Sequence, residues 1–161
     1  MERIPISTIG YQRLLKELEE LKAQRPMVIQ AIKEAREEGD LRENAGYDAA
    51  RERQGMLEAK INFIESRMNR FNVIDLDAMG GNRVCFGATV EIEDVDSGEV
   101  KQYTLLGPDE ASPPQGSISI LSPVGRALLG KEEGSEIEVE VPRGKAQYSI
   151  LSIRFLGQNG Q

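Results

Sequence analysis

Apolar positions recur at alternating steps of three and four through the first part of the chain, at Tyr11, Leu14, Leu18, Leu21, Val28, Ile32 and Ala35, with Arg25 the one polar member of the series. Leu15 and Ile29 widen that stripe. A second series runs Tyr47, Ala50, Gln54, Leu57, Ile61, Ile64, Met68 and Phe71, with Gln54 its one polar member. Both are heptad seams, and two such helices joined by a short connection run antiparallel, so each seam buries the other. The pattern predicts a coiled-coil hairpin over residues 1–76, with arms of roughly 27 helical residues reaching about 40 Å. Ser7 or Thr8 is suited to cap the first helix, Gly39 to end it, and Pro26 to bend it by removing a backbone donor.

Beyond Phe71 the period shortens to two. Val90 and Ile92, Tyr103 and Leu105, and Ile118 and Ile120 alternate as strands, and Ile137, Val139 and Val141 alternate with Glu136, Glu138 and Glu140. This predicts an antiparallel sheet with one buried face. Asp96-Ser97-Gly98-Glu99 and Arg143-Gly144-Lys145 read as hairpin turns, Pro108 to Gly116 as a long loop, and Ala78 to Asn82 as a linker. Ser122, Pro123 and Gly130 mark the cap, first position and end of a short helix. The expected fold class is therefore α+β in two domains, a hairpin over 1–76 with its turn at 39–43 and a sheet domain over 77–161. The extreme ends, Met1, Glu2 and 157–161, are expected to fray.

Composition narrows the chemistry. Among 161 residues there is no histidine, which excludes Ser-His-Asp and Cys-His catalysis, and the single Cys85 can form no internal disulfide. No apolar run approaches a membrane span, so a cytoplasmic protein without membrane attachment is expected. The net charge is -7, divided as -1 over residues 1–75 and -6 over 76–161. That asymmetry disfavours broad non-specific binding to nucleic acid and suggests two halves with different partners.

The turn is where chemistry is expected. Asp40 and Glu43 stand three apart, as in a capping box, and on spacing alone a cap is the simpler reading. The same two carboxylates could instead help to hold Mg²⁺, a hard cation that takes oxygen ligands, if another macromolecule supplied the rest. Arg36 and Arg51 both fall at heptad position e, which would set two guanidiniums on one side of the hairpin, suited to a phosphate chain. Glu38 and Arg53 fall at position g and read as an ion pair. Heptad hairpins also serve as adaptors or dimerisation elements, a use in which the turn has no chemistry.

The run from Glu34 to Arg51 resembles the tip signature of the bacterial Gre transcript-cleavage factors, and the similarity continues through Val84 to Val90 and Ser122 to Glu133. The resemblance implies a monomeric transcription elongation factor that is not an enzyme by itself. It would bind RNA polymerase within the DNA-bound complex, pass its coiled coil into the secondary channel and stimulate Mg²⁺-dependent cleavage of backtracked RNA. On that resemblance Asp40 and Glu43 are the catalytic carboxylates, sharing the ion with polymerase, so that the isolated protein holds none. Arg36 and Arg51 would hold the nascent RNA 3′ end, with Asn44 and Tyr47 shaping the tip. The second domain would be FKBP-like and dock on polymerase through Ser122, Pro123, Arg126 and Gly130. Gly46 departs from the family, which usually carries Glu there, and keeps open a channel-binding regulator that does not cleave. Prolyl isomerase activity is the enzymatic alternative, although Phe86, Tyr103, Tyr148 and Phe155 are more simply explained by sheet packing.

Overall fold

The computed structural model describes residues 3–37 and 45–156. Its elements fall into two compact units, one holding Met1–Tyr11 with Phe71–Gln161 and the other Gln12–Arg70. The sheet-bearing unit takes in the start of the chain because the short strand there pairs with the strand that begins at Phe71.

The helical unit is built from α1 (Thr8–Ala23), α2 (Arg25–Glu37) and α3 (Ala45–Met68). The rod breaks at Gln24. Pro26 has no N–H to give the Lys22 carbonyl and its ring would collide with it, so α1 closes with the Gln24 amide on the Leu21 carbonyl and α2 restarts with Val28 N–H on the Gln24 carbonyl. The seams meet as the heptads predict: Leu18, Leu21, Val28, Ile32, Ala50, Leu57, Ile61 and Ile64 form one buried cluster, with Tyr47 and Met68 packed against it. Two expectations fail. Leu15 and Ile29 are exposed, because a two-helix pair covers only its narrow seam and leaves the flanking positions in water. Phe71 is buried, but as the first residue of a strand and edge-on to Tyr11, with ring centroids 6.2 Å apart.

In the other unit β1 (Ile4–Ser7) and β2 (Phe71–Ile74) pair in parallel. Ser7 caps α1, its hydroxyl accepting from Gly10 N–H at 3.0 Å. Ser7 is itself tied to Glu110, whose carboxylate accepts from Ser7 N–H at 2.8 Å, Ser7 Oγ at 2.5 Å and Gly107 N–H at 3.0 Å. The backbone comes so close here that a Cβ on Gly107 would sit 1.9 Å from the Pro5 carbonyl oxygen.

The main sheet follows the order β5-β4-β3-β7-β6. Its strands are β3 (Ala88–Asp94), β4 (Val100–Leu106), β5 (Ser117–Ser119), β6 (Glu136–Val141) and β7 (Gly144–Phe155). It is antiparallel except for β4 and β5, which pair in parallel because the chain crosses back through the 107–116 loop. Both predicted turns close hairpins: Gly98 and Gly144 take φ of 76° and 125°, and the Asp94 carboxylate accepts from the amides of Asp96 and Ser97. Val90, Ile92, Leu105, Ile137, Val139 and Ile150 form the core with Leu128 of α4 (Pro123–Leu128). Tyr148 belongs to that core, with Tyr103 and Phe155 packed against it.

Candidate functional site

Residues 38–44, and with them Gly39, Asp40, Glu43, Asn44 and the Glu38 of the expected g-position pair, lie outside the described residues. The functional surface that can be built is the pair of helices leading to them. Its register is read from ion pairs. Lys22 Nζ lies 2.8 Å from Glu65 Oε2, joining the e position of α1 to the e position of α3. One turn on, Arg25 makes a forked bridge to Glu58, Nε at 2.8 Å and Nη2 at 2.7 Å. That hydrogen bond holds the Glu58 carboxyl below the usual carboxylate range and raises Arg25 above its ordinary value.

Two heptads forward along α2 and two back along α3, the place of Lys22 and Glu65 is taken by Arg36 and Arg51. The seam stays buried on both sides of the Gln24 break, so the phase is kept. Both arginines are exposed, at register positions equivalent to those that elsewhere hold opposite charges. Tyr47, in the first turn of α3, is half-buried, and the Arg36 guanidinium carbon lies 5.9 Å from its ring centroid. This stack joins Arg36 to Tyr47 across the hairpin. Sequence reasoning placed both residues near the turn and missed their contact.

Gly46 is helical, in the first turn of α3. Among the described residues no group of three or more Cys, Asp and Glu side chains could hold a metal ion. In the sheet unit Ser122 caps α4, its hydroxyl accepting from Gly125 N–H at 3.1 Å, with Pro123 at the first helical position. Pro123, Arg126 and Gly130 are exposed, whereas Leu128 fills the core and Val124 and Ala127 pack against it. The segment therefore spends Val124, Ala127 and Leu128 on the sheet and leaves Arg126 exposed beside Pro123 and Leu129. No helix among the described residues is long and apolar enough to cross a membrane.

Both halves match known families. Residues 4–73 match the family described as transcription elongation factor, N-terminal, and residues 79–155 that described as transcription elongation factor, GreA/GreB, C-term. The chain is 72% identical over 157 residues to a protein named transcription elongation factor GreA from Nitratidesulfovibrio vulgaris (strain DSM 19637 / Miyazaki F), covering 98% of each. It is 48% identical over 158 residues to the protein of that name from Methylococcus capsulatus, covering 97% of this chain and all of that one. A solved structure, that of the GreA factor homolog 1 protein of Thermus thermophilus, is 28% identical, with 95% of this chain and 99% of that one covered and a TM-score of 0.45.

Proposed function

Because the chain belongs to the GreA/GreB family of transcription elongation factors, we propose that it binds RNA polymerase, enters the secondary channel with its helical hairpin and stimulates endonucleolytic cleavage of backtracked RNA, so rescuing arrested complexes in the cytoplasm. The hairpin is the reaching element. The 24 residues of α3 span about 36 Å, far more than two helices need to bury a shared seam. Asp40 and Glu43 lend their carboxylates to a Mg²⁺ that polymerase holds in part. The donor set suits that ion: the chain has no histidine, its one cysteine lies in the sheet unit, and the turn's side-chain donors are the carboxylate oxygens of Asp40 and Glu43 and the amide oxygen of Asn44. When bound, Mg²⁺ activates water and stabilises the attacking and leaving oxygens.

The other residues bind and orient. Arg36 and Arg51 take phosphates of the extruded RNA 3′ end by charge-assisted hydrogen bonds, Asn44 and Tyr47 shape the turn, and the surface at Ser122, Pro123, Arg126 and Gly130 docks on polymerase. The protein acts as a monomer and is not an enzyme alone. The observation that carries this reading is the match of both halves of the chain to the GreA/GreB elongation-factor family; two exposed arginines, Arg36 and Arg51, one on each arm of the hairpin, suit a polyanion.

Asparagine caps a helix about as well as aspartate but is a poorer ligand for a hard cation. Asp40→Asn is therefore expected to keep polymerase binding and to lose stimulated RNA shortening in stalled complexes; unchanged shortening would reduce the carboxylate to a cap. Gly46 favours one second reading, a factor that occupies the channel without cleaving. Wild-type protein added to a backtracked complex with Mg²⁺ separates the two, because that regulator would give inhibition and no short products.

A further inference from the structure

Arg36 and Arg51 are exposed at register positions equivalent to those of Lys22 and Glu65, and each side chain is long and flexible, so mutual repulsion alone would drive them apart and away from a shared ligand. Arg36, however, is laid over the ring of Tyr47 at 5.9 Å, and Tyr47 is in turn packed against the buried seam. An aromatic face carries partial negative charge and attracts a guanidinium at this range. We propose that Tyr47 is a positioning residue: its ring holds the Arg36 guanidinium beside Arg51 against their repulsion, so that an RNA phosphodiester meets two donors already set as a pair. The phenolic hydroxyl has no part in this, and a phenyl ring should serve as well. The proposal rests on the RNA contact assigned above to Arg36.

Two measurements test it on the full chain. In the isolated protein, the side-chain NMR signals of Arg36 should carry a ring-current displacement that Tyr47→Leu abolishes and Tyr47→Phe restores, with α-helix content unchanged by circular dichroism. Identical Arg36 signals in wild type and Tyr47→Leu would overturn the proposal. In the cleavage assay at subsaturating factor, Tyr47→Leu should slow RNA shortening about two- to five-fold, the factor corresponding to an exposed cation–π contact. Tyr47→Phe should recover most of that loss, and in an Arg36→Ala background Tyr47→Leu should add nothing. An equal loss in both backgrounds would overturn the positioning role alone. Full cleavage by Arg36→Ala would overturn the RNA contact itself, and the positioning with it.

Discussion

Glu110 shows how much one side chain can organise at the residue scale. Its carboxylate collects three donors from Ser7 and Gly107, and Gly10 and Gly107 leave room for the approach, since a Cβ on Gly10 would meet the carboxylate itself. Glu110→Gln puts an NH₂ where one acceptor stood, and is expected to cost about 1–3 kcal/mol in denaturant unfolding, with faster hydrogen exchange at the Ser7 and Gly10 amides. Gly107→Ala should cost a similar 1–3 kcal/mol or so by overpacking. Gly46→Ala works the other way: the position is exposed and helical, so helix content and stability should rise by about 0.5–1 kcal/mol. Of these features only the Ser7 cap was legible in advance. A carboxylate 103 residues away in sequence leaves no local sign that it will meet that cap.

At the scale of the element, the hairpin is sealed by its seam and trimmed by ion pairs. Arg25, the polar member of an apolar series, is accommodated because it turns out of the seam to Glu58. Glu58 has its carboxyl pKa lowered in the folded state, chiefly by the Arg25 hydrogen bond. The bridge therefore contributes stability above the ordinary carboxylate range and loses it as pH falls through the lowered folded value. Wild type should consequently lose thermal stability between neutral and acid pH by more than Glu58→Gln does, and the difference should shrink at high salt, because both partners are largely solvated. The bend was also legible, but not its place: proline disturbs the turn before it, so the break falls at Gln24 and not at Pro26.

On the scale of the whole molecule, the sheet-bearing unit is discontinuous in sequence. Ile6 and Ile4, fully and nearly fully buried in β1, belong to it, and burying each is worth about 1.5–3 kcal/mol. A fragment of residues 77–161 should thus unfold at a lower urea midpoint than the same unit in the full chain; equal midpoints would mean that β1 and β2 are ornaments to the sheet. By itself the sequence determined what depends on spacing: two heptad seams, the cap residues, the alternating strands and their glycine turns, and the e-position arginines. These rest on the 3.6- and 2-residue periods of the backbone, which act over a few neighbours. Only the tertiary structure decided the parallel pairings of β1 with β2 and β4 with β5, the Glu110 tie and the Arg36–Tyr47 stack. Each of those joins groups whose meeting depends on how entire elements pack, and no local pattern of polarity encodes that.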